Sequence, residues 1–199
     1  MSLARAERKL TSRGHERRQE LLRVAIDKFA EQGYHPTSVA DIVGEVGVGK
    51  GVFYWYFTSK EDLLREILKD ALLELRRHQQ AAICDEPNPL RRIELGVRAT
   101  LDWLAEHPEV QRLVDFARTE DTFADELRRG REISTEDAVR HLTEAMGQGL
   151  IKQGDARTMA IAIRGITDEI SRTATDTDSP PPVEAVIRMT VHGLTGGAS

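Results

Sequence analysis

Apolar side chains recur every three or four positions along almost the whole chain, and this spacing predicts an all-α protein of about nine helices. Leu21, Leu22, Ala25, Ile26 and Phe29 mark a first helix over residues 16–32, stopped by Gly33. Val39, Ile42, Val43 and Val46 mark a second over 38–46, capped by Thr37 or Ser38. Thr58-Ser59-Lys60-Glu61 reads as a capping box, with Thr58 at the cap and Glu61 at the third helical position. It opens a long helix bearing Leu63, Leu64, Ile67, Leu68, Ala71, Leu72 and Leu75, which ends before Pro87. Asn88-Pro89 opens the next, with Ile93, Val97, Leu101 and Leu104. PEVQRLVDFAR, from Pro108, is a shorter one, and residues 122–147 form a long one with Thr122 as cap. Asp155 caps a helix over about 155–176, Ser179-Pro180-Pro181-Pro182 breaks the pattern, and a last helix covers about 182–194. The closing TGGAS reads as disordered.

One stretch stands apart. VGVGKGVFYWYFTSKEDLL, residues 46–64, places Phe53, Tyr54, Trp55, Tyr56 and Phe57 in succession, half of the ten aromatics in the chain. Its β-propensity suits a strand, but no pairing partner is in sight. Gly44 to Lys50 matches seven positions of a phosphate loop, yet Gly51 stands where the loop needs a hydroxyl and the preceding DIVGEV has helical spacing. A helix-turn-helix accounts for more. A turn at Gly47-Val48 leads into a short third helix over about 49–55. Phe53 and Phe57, four apart, face inward with Val48, while Lys50, Tyr54 and Trp55 face outward and Gly51 and Val52 lie near the helix start. A lysine beside phenols offers charge and hydroxyl donors to a phosphate backbone, and glycine permits close approach.

Composition adds two points. Residues 1–60 carry ten Lys/Arg against seven Asp/Glu, a net +3, and the remainder eighteen against twenty-six, a net −8. A small basic head on an acidic body suits nucleic-acid binding despite the overall charge of −5. A single cysteine, Cys84, excludes an internal disulfide and a cysteine zinc cluster. The six scattered histidines have no metal spacing, no nucleophile–base pair stands out, and neither a cofactor nor an enzymatic role is expected. No apolar run reaches membrane-spanning length and no secretory leader is present, so a cytoplasmic protein is expected.

The segment FAEQGYHPTSVADIVGEVGVGKGVFYWYFTSKEDLL, residues 29–64, resembles the TetR family of bacterial transcriptional regulators. The likeness rests on Phe29, Gly33-Tyr34, Thr37, Asp41-Ile42, Gly47-Val48, Lys50-Gly51, Tyr54, Tyr56-Phe57 and Lys60-Glu61 at fixed spacing. It covers roughly residues 15–70. It implies a DNA-binding domain over 1–59 and a helical effector-binding and dimerisation domain over 60–199. By position, Thr37 would touch a phosphate at the second helix; Lys50, Gly51 and Val52 would approach bases; Tyr54 and Tyr56 would bond phosphates, and Lys60 would hold another. Two departures stand out: Gly49 occupies a position commonly held by serine, and Trp55 one where polar residues are frequent. Trp55 is expected either against the DNA or partly buried.

The resemblance further implies a homodimer on a double-stranded, pseudo-palindromic operator, released by a small-molecule effector. Dimerisation would use the last two helices, with Ile161, Gly165, Ile166, Val183, Ile187 and Val191 as contact residues, an intramolecular core being the alternative. Candidate ligand-pocket residues are Trp103, Phe116, Phe123, His141 and Met146. A helical signalling protein that binds no DNA is the rival reading. It explains the acidic body but not the ordered motif of residues 29–64.

Overall fold

The computed structural model describes residues 11–177 and 179–196. The basic residues 1–10 and the end of the TGGAS tail lie outside the described residues. Nine α-helices are described: α1 (Ser12–Gln32), α2 (Val39–Val46), α3 (Lys50–Tyr56), α4 (Lys60–Ile83), α5 (Pro89–Glu106), α6 (Pro108–Arg118), α7 (Ala124–Gly147), α8 (Ala156–Asp176) and α9 (Val183–Thr195). No strand occurs among the described residues; the aromatic run is helical from Phe53 to Tyr56, with Phe57 the extended residue that follows.

Helix ends follow local chemistry; three differ from the expected ones, and at α2 one of two expected caps is selected. α1 begins earlier than expected because the Thr11 hydroxyl accepts the Gly14 N–H at 3.2 Å. Ser38, not Thr37, caps α2 through a reciprocal box with Asp41. At α4 the cap sits one residue later than Thr58: the Ser59 hydroxyl accepts the Asp62 N–H at 3.1 Å, and the Asp62 carboxylate accepts from the Thr58 N–H and hydroxyl. Adjacent hydroxyls and adjacent carboxylates offer two registers, and the shorter Asp62 closes the tighter one. Thr122 lies inside a 3-10 turn, Asp121–Phe123, and caps nothing; buried Phe123 precedes α7 instead.

The chain divides within α4, between Ile67 and Leu68, into two compact units. In the first, α1 contributes Leu21, Leu22, Val24, Ala25 and Phe29; α2 contributes Ile42 and Val43; Phe53 and Phe57 follow. Leu63, Leu64 and Ile67 of α4 complete this core. The second unit is strung along α5. Ile93 joins Leu142, Ala145, Met146, Ile151, Ala160 and Leu194. Val97 and Leu101 join Val186 and Ile187. Trp103 and Leu104 join Val110, backed by Ala71, Leu75 and Val114.

Candidate nucleic-acid interface

The turn before α3 depends on Gly47. Its φ of 72° is left-handed, a conformation that favours glycine, and the Val48 N–H returns to the Val43 carbonyl at 2.9 Å. This ends α2 and starts α3 after Gly49, which offers no side-chain cap. A phosphate loop following a strand is thereby excluded, since Gly44 and Val46 belong to a helix.

α3 separates its aromatics by depth. Phe53 and Phe57 are fully buried, their ring centroids 5.5 Å apart, and the Arg18 guanidinium lies 5.6 Å from the Phe57 ring. Arg18 also pairs with Glu66 at 2.6 Å, so one side chain of α1 braces both α3 and α4. Periodicity could not reveal this role, because the partners lie far away along the chain. Tyr54 is 53% and Trp55 42% exposed, which places Trp55 outward. Half-buried Tyr56 stands edge-on to Trp55, with centroids 4.5 Å apart.

Lys50 and Gly51 at the start of α3 are exposed, and Val52 is half-buried. A Cβ placed on Gly49 or Gly51 would meet nothing within 4 Å, and neither residue has a positive φ. Neither glycine is therefore required by the fold. In a helix, glycine costs about 1 kcal/mol relative to alanine.

Two expected phosphate contacts are placed differently. Thr37 is fully buried, and its hydroxyl donates to the Gly33 carbonyl at 2.8 Å, stitching the α1–α2 turn. The exposed hydroxyl beside it belongs to Ser38. The Lys60 ammonium donates to the carbonyls of Tyr34 (2.8 Å), His35 (3.3 Å) and Thr37 (2.8 Å), 4.3 Å from the Tyr34 ring centroid. Three N–H groups meet three carbonyls, so the ammonium clamps the turn rather than pointing at a ligand. Burial pushes its pKa below the ordinary lysine range.

The other proposed sites fare unevenly. Trp103 is core and stacks on His107 at 4.3 Å. Met146 belongs to the separate cluster around Ile93 and Leu142. Phe116 and buried Phe123 approach each other at 6.4 Å. Half-buried His141 is held below the ordinary histidine range, first by burial and then by Arg92 and Arg140. The five residues thus do not form one group, because helical periodicity cannot say which buried face meets which. Among the dimer candidates, Ile187 is core, and Ile166, Val183 and Val191 pack against that core from partly buried positions. Ile161 and Gly165 on α8 are exposed. Ala162 of α8 is exposed as well, and so are Ala185, Met189 and Gly193 of α9, which the sequence did not single out as contacts. No group of three or more side chains suited to a metal ion occurs among the described residues. No described helix is long and apolar enough to cross a membrane.

Two short helices joined by a glycine turn, the second presenting lysine, bare backbone and exposed aromatics, define a helix-turn-helix regulator of the DNA-binding class. Residues 21–67 match the model for bacterial regulatory proteins of the tetR family. The transcriptional activator FasR of Mycolicibacterium smegmatis is 26% identical over 92% of this chain and 84% of its own. The transcriptional repressor KstR2 of Mycobacterium tuberculosis is 34% identical over 46% of each chain. Other relatives are likewise matched over about half of their length. The structure of the fatty acid degradation regulator FadR from Bacillus halodurans superposes with a TM-score of 0.81 at 20% identity, covering 92% of this chain and 96% of that one. Over residues 21–67 the chain thus carries the DNA-binding domain of the tetR-family model, and it is similar to transcriptional regulators of that kind.

Proposed function

We propose that the protein acts as a homodimer on a pseudo-palindromic operator, most simply as a repressor, and is released by a small molecule bound in the second unit. The observation that carries this reading is the outward face of α3. Lys50, the Gly51 backbone, Tyr54 and Trp55 form one exposed row, and the fold does not require glycine at 51. Lys50 and Tyr54 supply a charge and a hydroxyl to phosphates, Gly51 admits the duplex, and Val52 and Trp55 offer apolar surface to a thymine methyl or a sugar edge. Half-buried Tyr56 adds a second hydroxyl.

A seven-residue helix reads few bases, so a second copy is needed, with recognition helices about 34–36 Å apart on successive major grooves. The exposed small and apolar residues of α8 and α9, from Ile161 and Gly165 to Met189, supply a face for that copy. Release follows if the effector prefers a dimer whose heads no longer match the groove spacing. The test is fluorescence anisotropy of the full-length protein on duplexes from its own upstream region, at several salt concentrations. A specific duplex should bind with a steep salt slope. Equal binding to every sequence would overturn the reading.

A further inference from the structure

The middle of the outward face of α3 is chemically sparse, and this limits what it can read. At about 100° per residue, Gly51 and Trp55 stand opposite the buried pair Phe53 and Phe57, with Val52 beside them. Lys50 and Tyr54 lie along one edge of that face and Tyr56 along the other. The edges thus hold the charge and the hydroxyls. The centre holds a bare backbone, a half-buried valine and an exposed indole.

This centre has no side-chain hydrogen-bond acceptor. Gly51 has no side chain, Val52 is apolar, and an indole N–H only donates. Between Gly47 and Phe57 the side-chain acceptors are the two phenol hydroxyls, which the proposed operator complex uses on phosphates. The two carboxylates of α2 are engaged within the head. Asp41 closes the cap with Ser38, and Glu45 pairs with Lys28 at 3.3 Å.

Base edges in the major groove differ in what they ask of such a surface. Cytosine presents its N4 amino donor, and adenine its N6 amino donor beside the N7 acceptor. Without an acceptor, the centre of α3 bonds neither amino group. Thymine adds a C5 methyl, an apolar group on the base edge. Val52 and Trp55, three apart, are neighbours on the helix surface and form one apolar patch next to Gly51. We propose that this patch, with Val52 as the specificity-determining residue, reads pyrimidine C5 methyl groups in the major groove. Thymine and 5-methylcytosine are accepted; uracil and unmethylated cytosine are discriminated against. Gly51 carries no side chain to hold the helix off the base edge. A site with cytosine at the contacted position is therefore weak until that cytosine is methylated. The proposal rests on the operator-binding reading of α3.

Fluorescence anisotropy of the full-length protein tests it on the upstream duplex that binds specifically, prepared with thymine or with uracil throughout. The two duplexes have the same charge and pairing and differ in C5 methyls. Burying one methyl changes affinity about fourfold, so one contact in each half-site predicts about fifteenfold weaker binding to the uracil duplex. Single uracil replacements then locate the sensitive thymine·adenine pair. With 5-methylcytosine·guanine at that pair, the duplex should bind about threefold or more tighter than with unmethylated cytosine·guanine. Val52→Ala should shrink the thymine-to-uracil affinity ratio by about threefold or more. The ratio is taken within one variant, so partial unfolding of the head cancels from it. Equal affinity for thymine and uracil duplexes, no gain from cytosine methylation, or an unchanged ratio in Val52→Ala would each overturn the proposal and leave operator binding standing. Equal binding to every duplex, whatever its sequence, removes the operator reading and this one together.

Discussion

Lys50 and Lys60 lie ten residues apart, and their surroundings give them opposite roles. Lys50 is exposed at the start of α3, whereas the Lys60 ammonium is bound by three carbonyls. Lys50→Ala should lower operator affinity and reduce the salt slope, log K against log salt, by about one. Lys60→Met should lower the melting temperature and weaken binding through the displaced α1–α2 turn, with the salt slope unchanged. Anisotropy at four salt concentrations distinguishes the two. Gly51→Ala should act in the reverse sense on stability. It should stabilise the first unit by up to about 1 kcal/mol while weakening operator binding, read by thermal melting and anisotropy on the same sample.

α2 and α3 are too short to persist alone, and side chains at their ends and inner faces hold them. Phe53→Ala, at a fully buried position, should cost about 3–5 kcal/mol and abolish operator binding through loss of the head. Circular dichroism would show the second unit still helical. Asp41 closes the cap of α2, and its hydrogen bonds with Ser38 hold its pKa below the usual carboxylate value of 3.8. The stabilisation is therefore complete above that value and is lost as pH falls below it through the folded-state pKa. Acid unfolding of Asp41→Asn should accordingly lack part of the slope seen in the parent below about pH 4.

Element existence was legible from periodicity at this scale, and so was the inward pair Phe53 and Phe57. The register of the α4 cap was not, since Thr58-Ser59 and Glu61-Asp62 offer duplicate solutions one residue apart. The burial of Thr37 was also hidden. A threonine beside a helix start looks like a cap until the fold shows its hydroxyl turned back to the Gly33 carbonyl.

Across the whole molecule, the second unit was the less legible part. Its helices are amphipathic, and such faces pack in several combinations. Val183, Ile187 and Val191 have the stripe of an oligomer interface, yet they serve the core around Val97 and Leu101. The side left open carries Met189, 53% exposed, near Ala185 and Gly193. Met189→Arg should shift the protein toward a monomer in sedimentation velocity, with unchanged helical content and reduced operator affinity. An unaltered sedimentation coefficient would exclude this face from the dimer contact.

The vacant space around Gly49 and Gly51 has a wider implication. Side chains can be introduced at both positions without disturbing a neighbour or straining the backbone, so foldability places little restraint on what occupies them. On the proposed reading of α3, substitution there alters the surface presented to the groove while the supporting core stays as it is. These two sites are places where a duplicated copy of this regulator can drift toward a new operator, or be steered there by saturation mutagenesis, without first acquiring compensating changes.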